Sequence, residues 1–239
     1  MMRLLDCFIV ELLFVRKRVF ISAFLVLIGA GVMGQDSVLL TKNFRFADGL
    51  YFSLAQLQAN QPGLPLDSCK LDYFTNPQTS LTQLDAIFLK KHRPQFPVDS
   101  IWAICLNGIP SIRVPKEDIN KTLPNFAALK LRGKLCFFTY PDYRQKTIRV
   151  AAYNPLTGRP YRQGNVVRDE EVIVEKILNF ESGEVADFNY DNLLRWIQDD
   201  PVLVETLHEL PRAEQQEKLF KCLLIYVDRN PAFLTPKMP

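Results

Sequence analysis

The feature that most restricts the fold is a series of short apolar segments, separated by turn residues, between Ser100 and Phe188. Its clearest unit is Ile101–Leu106, followed by Asn107-Gly108 and then Ile109–Val114. Asn-Gly supplies the positive backbone angles of a type I′ turn, which joins two antiparallel strands. The pattern predicts an antiparallel meander of about seven strands. Further strand candidates are Ala127–Leu131, Lys134–Tyr140, Thr147–Tyr153, Tyr161–Arg168, Glu171–Phe180 and Glu184–Phe188, with a turn at Asn154–Gly158.

After Asn189 the apolar residues change to a helical period. Asp200 and Pro201 are typical of a helix N-cap and first position, and Pro211 opens another helix. The last helix carries an apolar stripe at spacings of three and four residues, and such a stripe is normally buried against another element. We expect it to pack on the open face of the sheet. The sequence therefore predicts an α+β fold that ends in about three helices. The stripe consists of Leu219, Phe220, Leu223 and Val227.

A smaller α/β segment precedes the meander. Gly49–Phe52 is a strand candidate, and Ser53 with Gln56 forms a capping box for the helix that follows. Leu81–Lys91 carries both helix and strand signals and stays unassigned. The predicted organisation is a leader over 1–34, this N-terminal segment over 36–97, an α+β domain over 98–230 and a tail over 231–239.

The leader has the order of an export signal. Arg16, Lys17 and Arg18 precede an uncharged apolar run, Val19–Met33, and small residues stand at the cleavage positions before Gln35. The run has about 15 residues, whereas roughly 20 are needed to span a bilayer. We therefore expect export to the periplasm, cell envelope or medium, with no membrane span after the signal is removed. Residues 1–14 contain acidic residues that fit an export signal poorly, so we expect translation to start near Val15, and a long n-region is the open alternative.

The hydrophobic content and the net charge bear on which classes of function the protein can have. The 239 residues are 48% hydrophobic, which is enough for a sizeable core. The leader 1–34 has a net charge of +2, so the other 205 residues carry 25 Lys and Arg against 24 Asp and Glu. Nonspecific nucleic-acid binding depends on a basic face that neutralises phosphates. The near-neutral body argues against a nucleic-acid partner.

The leader matches the sequence pattern of a dinucleotide-binding motif, but the residues around it do not fit that motif. Gly29, Gly31 and Gly34 match G-x-G-x-x-G. The motif should be followed by a long helix and by an acidic residue about 20 positions on, which binds the ribose. The acidic residue closest to that position, Asp48, lies too near the motif and belongs to the turn pair Asp48-Gly49. The export signal is the preferred interpretation of this stretch, and a dinucleotide-binding enzyme remains the weakest alternative.

The candidate catalytic and metal-ligating residues favour structural roles. His92 lies in a basic loop, and His208 lies near the end of a short helix, where a helix dipole favours a partly charged imidazole. The run from Asp187 to Asp191 begins like a calcium loop but lacks the glycine and glutamate that the loop needs, so helix capping by Asn189 or Asp191 is preferred. No catalytic residue, metal or cofactor is predicted.

Four cysteines follow the leader: Cys69, Cys105, Cys136 and Cys222. An exported chain with an even number of cysteines permits disulfides, but the connectivity cannot be read from the sequence. Cys105 and Cys136 both lie in apolar strands and form the candidate pair. An unpaired, buried set of thiols is the open alternative.

Aromatic and basic residues near predicted turns form the candidate recognition surface. Exposed rings stack on sugars, but most of the 27 aromatic residues lie in apolar runs that favour the core. A smaller group lies near strand ends, beside arginines, and would bind a protein or glycan partner. It consists of Tyr140, Tyr143, Arg144, Tyr153, Arg159, Tyr161 and Arg162.

Several patches resemble an uncharacterised family of small exported bacterial proteins. They are the export signal followed by Asp48–Leu54, Trp102 with Asn107-Gly108, the Gly133–Phe138 strand and the helical ending through Asn230-Pro231. The resemblance implies export and carries over no functional residue. The sequence thus favours an exported, noncatalytic protein that binds a protein or glycan of the cell envelope. An exported hydrolase with an unrecognised active site is the alternative.

Overall fold

The predicted meander forms six strands in the structure. The structure is a computed structural model that describes residues 37–90, 96–115 and 123–234. The Asn107-Gly108 turn is confirmed, because both residues have positive φ angles, 55° and 75°. The strands are β6 (Ala103–Leu106), β7 (Ile109–Arg113), β8 (Asn125–Leu131), β9 (Leu135–Tyr153), β10 (Pro160–Asn179) and β11 (Val185–Asp187).

Two pairs of predicted strands are each continuous in the structure. Lys134–Tyr140 and Thr147–Tyr153 belong to the single strand β9, and Tyr161–Arg168 and Glu171–Phe180 belong to β10. The sequence suggested breaks at the charged runs between them. In the structure those runs lie opposite each other in one antiparallel ladder, with Arg144 paired to Glu170, so the backbone remains extended through both.

The N-terminal segment joins the same sheet. Ser53 caps α1 (Leu54–Gln58) and accepts a hydrogen bond from Gln56 N at 3.4 Å, as the capping box predicts. The reciprocal bond is shifted by one residue, because Gln56 Oε1 accepts from Phe52 N. The unassigned stretch Leu81–Lys91 contains strand β5 (Leu81–Leu89). The elements are β1 (Val38–Leu40), β2 (Gly49–Tyr51), α1 (Leu54–Gln58), β3 (Leu64–Pro65), β4 (Cys69–Thr75) and β5 (Leu81–Leu89), with short 3-10 turns at Leu66–Ser68 and Val98–Ser100.

The ten-stranded sheet has a branch. Its main path is β11-β10-β9-β8-β7-β6-β2-β3, and β5 pairs with both β8 and β4. Every pairing among the described strands is antiparallel. The described residues therefore do not form the parallel sheet of a dinucleotide-binding fold. A separate two-stranded sheet joins β1 to β12 (Ala232–Leu234), which lies in the segment predicted as a tail.

The C-terminal helices confirm the predicted α+β class. They are α2 (Tyr190–Trp196), α3 (Pro201–Glu209) and α4 (Arg212–Arg229). Asn189 caps α2 by accepting from Asn192 N at 2.9 Å, and Asp200 caps α3 by accepting from Leu203 N at 3.1 Å. The α4 stripe packs on the sheet as predicted, since Leu219 and Leu223 share a buried cluster with sheet residues that include Phe137. No helix among the described residues is both long and apolar enough to cross a membrane.

Four predictions fall outside the described residues. The leader 1–34, with its glycine motif and the alternative start near Val15, precedes the first described residue, Ser37. His92 lies between the described ranges 37–90 and 96–115. These therefore remain predictions from the sequence.

Candidate binding surface

The distal part of the β9–β10 hairpin pairs with no other described strand. β9 pairs with β8 only through Phe137 and Phe138, and β10 pairs with β11 only over 176–178. Beyond the Tyr143–Glu171 pair, the outer edge of each strand has no partner among the described strands. We call residues 143–171 the arm. With a rise of about 3.3 Å per residue, its strands extend for roughly 33 Å.

A tight turn closes the arm at its tip. Asn154 organises this turn: its backbone oxygen accepts from Gly158 N at 2.8 Å, and its Oδ1 accepts from Leu156 N at 2.9 Å. Gly158 has a φ of +64°, which disfavours a side chain. These contacts confirm the turn predicted at Asn154–Gly158. They leave Leu156 at the tip with 94% of its surface exposed.

The arm is strongly basic over most of its length. Residues 143–168 contain six Lys and Arg and no Asp or Glu, so the rest of the chain has 23 Lys and Arg against 26 Asp and Glu. The nearest carboxylates, such as Asp142 and Asp169, lie at the root of the arm, where it joins the sheet. The charge of the distal part therefore favours contact with anionic groups over cationic ones. The six cations are Arg144, Lys146, Arg149, Arg159, Arg162 and Arg168.

The cations are unequally divided between the two faces of the arm. Directly opposed residues in an antiparallel ladder share a face, and successive residues alternate faces. One face therefore combines four cations with aliphatic side chains, whereas Arg149 is the strand cation on the other face. Pairs on the first face include Arg162 with Ala152, Arg168 with Lys146, Val166 with Ile148, and Arg144 with Glu170.

The structure separates the predicted recognition residues into three places. Tyr140 is buried, with 1% of its surface exposed, and stacks on Phe138 with ring centroids 6.3 Å apart. The root of the arm carries Tyr143 and Arg144, and Tyr161 belongs to β10, although its side chain is not among those described. The tip carries Tyr153, Arg159 and Arg162.

The basic surface is larger than the group of residues predicted near strand ends and turns. It also contains Lys146, Arg149 and Arg168, which lie within the strands. The signal that identifies them is the absence of any carboxylate from a 26-residue stretch, 143–168. The sequence alone does not show that these residues form one surface, because they are brought together by the continuous pairing of β9 with β10.

A small polar cleft lies at the root of the arm, beside the turn that joins β4 to β5. Its volume is about 200 Å³, and Phe74 and Tyr143 line it from two different strands. Asn76, Gln83 and Glu171 contribute polar groups. The cleft thus combines exposed rings with amide and carboxylate groups.

Asn125 lines the same cleft as a buried polar residue. Only 4% of its surface is exposed, and its Nδ2 donates a hydrogen bond to Leu123 O at 2.8 Å. Its Oδ1 has no hydrogen-bond partner among the described residues. A buried acceptor without a donor is unfavourable, so a hydrogen bond to this oxygen would stabilise this part of the structure.

The buried thiols are poor nucleophiles. Burial raises the pKa of Cys136 to about 12, although a backbone hydrogen bond at Gly133 and the positive charge of Arg132 counteract part of this effect. Burial likewise raises the pKa of Cys105, and the Asp48 carboxylate raises it further, with Oδ1 3.5 Å from the sulfur. The thiolate is the reactive form of cysteine, so both side chains remain in the unreactive protonated form at neutral pH.

The structure contradicts the candidate disulfide between Cys105 and Cys136. Both are free thiols, as are Cys69 and Cys222. Cys105 lies in β6 and Cys136 in β9, with β7 and β8 between them in the sheet order. Three strand spacings amount to roughly 14 Å, whereas a disulfide needs Cα atoms within about 7 Å. Both cysteines belong to one hydrophobic core cluster, where they act as small apolar side chains.

His208 lies apart from the cleft and contacts a neighbouring helix. Its Nδ1 lies 3.2 Å from the hydroxyl of Tyr190, and the two rings meet edge to face with centroids 6.5 Å apart. The contact joins α3 to the first residue of α2. This arrangement fits the structural role that the sequence favours.

Comparison with protein-family models, curated proteins and solved structures finds no match to this chain.

Proposed function

We propose that the protein is an exported, noncatalytic binding protein of the periplasm, cell envelope or secreted fraction, which binds an anionic protein or glycan partner through its arm. The observation that carries this proposal is the charge of the arm: six cations and no carboxylate over 143–168. The export signal predicted in the leader supports the location.

The exposure of the arm supports a binding role. A two-stranded hairpin is marginally stable in water by itself. Here Tyr153, Leu156 and Val167 are 61%, 94% and 56% exposed, and none belongs to a described core cluster. A partner that covers these side chains stabilises the ordered arm by removing apolar surface from water.

The free edges of the arm add a second mode of contact. An unpaired strand presents backbone N–H and C=O groups to any extended segment that lies beside it. The charged and glycine-containing sequence of β10, with Arg162, Gly164 and Arg168, opposes indiscriminate pairing of this edge. The arm is therefore suited to a partner that also supplies complementary charge.

The proposal is tested with a variant that lacks the distal arm. Replacing residues 146–168 by Asn-Gly closes the hairpin directly on the Gln145–Asp169 pair with a two-residue turn. The sheet, Tyr143 and Glu171 are retained. We expect tagged wild-type protein to capture a defined partner from envelope extracts, and we expect the shortened variant to lose it. Equal capture by both proteins contradicts the proposal.

A further inference from the structure

We propose that the cleft at the root of the arm binds one uncharged sugar residue of a longer glycan. This site is distinct from the basic distal arm, and the inference does not depend on the partner proposed there. It rests on four properties of the cleft: its aromatic walls, its polar groups, a buried acceptor without a donor, and its size.

The aromatic walls suit the flat faces of a pyranose ring. Phe74 is 62% exposed and Tyr143 is 58% exposed, and both line the cleft. One comes from β4 and the other from the arm, so the rings approach the cleft from separate elements. The face of an aromatic ring carries a negative quadrupole, which attracts the C–H groups on one side of a sugar.

The polar lining favours an uncharged ligand with many hydroxyl groups. Amides both donate and accept hydrogen bonds, and the cleft presents them from Asn76, Gln78 and Gln83. Glu171 adds a carboxylate acceptor, and no Lys or Arg is among the described residues that line the cleft. A phosphate, sulfate or carboxylate ligand would face Glu171 without a compensating cation, so an anionic sugar is disfavoured.

The buried amide of Asn125 identifies where a hydroxyl would bind. Asn125 lines the cleft, and its Nδ2 donates to Leu123 O, whereas its buried Oδ1 has no hydrogen-bond partner among the described residues. A sugar hydroxyl that donates to Oδ1 satisfies this atom. An apolar ligand would leave it unpaired, which is unfavourable for a buried polar group.

The size of the cleft limits the ligand to a single ring. Its volume of about 200 Å³ is below the range of roughly 300–1,000 Å³ that is typical of pockets for drug-sized molecules. The cleft is open to solvent beside two exposed aromatic residues, so the adjoining sugars of a chain extend outwards. We therefore expect weak binding of a monosaccharide and tighter binding of an oligosaccharide.

The experiment is ligand-observed NMR titration with neutral tetrasaccharides of glucose, galactose, mannose and N-acetylglucosamine, each tested separately. Phe74→Ala and Tyr143→Ala remove the two walls; both residues are largely exposed, so the fold is retained. Tyr73→Ala and Phe88→Ala are the matched controls, because these aromatic residues are 45% and 43% exposed and do not line the cleft.

We expect at least one of these saccharides to bind with a dissociation constant of about 1 mM or lower. Each wall substitution should weaken this binding at least tenfold, and neither control should change it by more than about twofold. Binding should be insensitive to salt and should persist in the variant that lacks residues 146–168. That variant therefore separates the cleft from the arm, since loss of the partner captured by the arm leaves sugar binding intact.

Three results overturn the inference. The first is that none of the four saccharides binds at about 10 mM, a concentration at which a millimolar site is nearly saturated. The second is that binding survives both Phe74→Ala and Tyr143→Ala. The third is that a sulfated saccharide binds more tightly than its neutral counterpart and is released by salt, which assigns sugar recognition to the basic arm.

Discussion

Lys146 and Arg168 lie directly opposite each other in the β9–β10 ladder, so two positive side chains share one face of the arm. Like charges in this position destabilise an antiparallel pair. Lys146 Nζ is partly neutralised by Glu170, whose Oε2 lies 2.9 Å away. An arrangement that opposes folding locally is expected where charge serves binding.

Replacing Arg168 by Gln should therefore separate stability from binding. We expect the free energy of unfolding to increase by about 0.2–1 kcal/mol, because the repulsion with Lys146 is removed. Capture of the anionic partner should decrease. Urea denaturation and quantitative capture measure the two effects. The control is Arg149→Gln, since Arg149 lies opposite the uncharged Asn165 and should not gain stability. A stability loss at Arg168 would contradict this interpretation.

Asp199 should make the fold less stable in acid. Burial raises the pKa of this carboxyl, but hydrogen bonds from Lys134 and Tyr226 outweigh that effect and hold the pKa below its ordinary value. Lys134 Nζ lies 2.6 Å from Oδ2, and the Tyr226 hydroxyl donates to Oδ1 at 2.8 Å. The folded-state pKa is depressed, so this stabilisation is present above the unfolded-state pKa and is lost as pH falls through the folded-state pKa.

The measurement is urea denaturation from neutral to acidic pH. Asp199→Asn should flatten the acid side of the stability profile relative to wild type. Tyr226→Phe should cost about 1.5–3 kcal/mol at neutral pH, because the buried phenol donates to a charged group. Parallel pH profiles for wild type and Asp199→Asn would show that this carboxyl does not contribute.

Gly133 allows the turn before β9 to approach α4 closely. A Cβ at this position would lie 2.4 Å from Val227 Cγ1, which is far inside van der Waals contact. Gly133→Ala should therefore destabilise the protein by about 1–3 kcal/mol, as overpacking does elsewhere. Val227→Ala removes the clashing methyl groups and should recover part of the loss in the double variant. Simple addition of the two single losses in a double-mutant cycle would contradict direct contact.

The four described cysteines should react as thiols only after unfolding. Cys69, Cys105, Cys136 and Cys222 are buried and unpaired. We expect little alkylation of the native protein without reductant, and alkylation of all four in denaturant without reductant. Intact-mass measurement distinguishes the states. A pair of cysteines that is labelled in denaturant only after reduction would establish a disulfide and contradict the free thiols.

The export signal predicts a specific mature N-terminus. Val32 and Gly34 occupy the small-residue positions before the cleavage site, so the mature chain should begin at Gln35. N-terminal sequencing of protein recovered from the cell envelope or medium tests this. Recovery of the protein with Met1 and an intact leader would contradict removal of the signal.

Local chemistry made the turns and helix starts predictable. Asn107-Gly108 predicts a hairpin because both residues readily adopt the positive φ angles that the turn needs. Asn189 and Asp200 are predicted as helix caps because their side chains can accept hydrogen bonds from the free N–H groups of the first helical turn. The α4 stripe likewise predicted its contact with the sheet. These features depend on a few neighbouring residues, so they appear in the sequence.

The arm and the cleft depend on pairing between distant residues. Arg144 remains in an extended strand because Glu170 lies opposite, 26 positions later, and no local signal records that pairing. The cleft requires β5 to join β8 as a branch, which places Gln83 opposite Asn125 beside Tyr143 of the arm. The disulfide prediction was wrong for the same reason, because strand order decides which apolar cysteines meet.

The most direct test of the binding proposal is sedimentation of the purified protein with isolated envelope fragments. One variant carries Arg159→Gln, Arg162→Gln and Arg168→Gln on the arm. Its control carries Lys70→Gln, Lys130→Gln and Lys221→Gln, which remove the same charge from exposed positions elsewhere. We expect wild type and the control to bind in about 50 mM salt and to be released in about 500 mM salt.

The arm variant should bind at least tenfold more weakly than wild type in low salt, because anionic partners lose three of six cations on the arm. Equal binding by the arm variant and the lysine control would contradict the central claim.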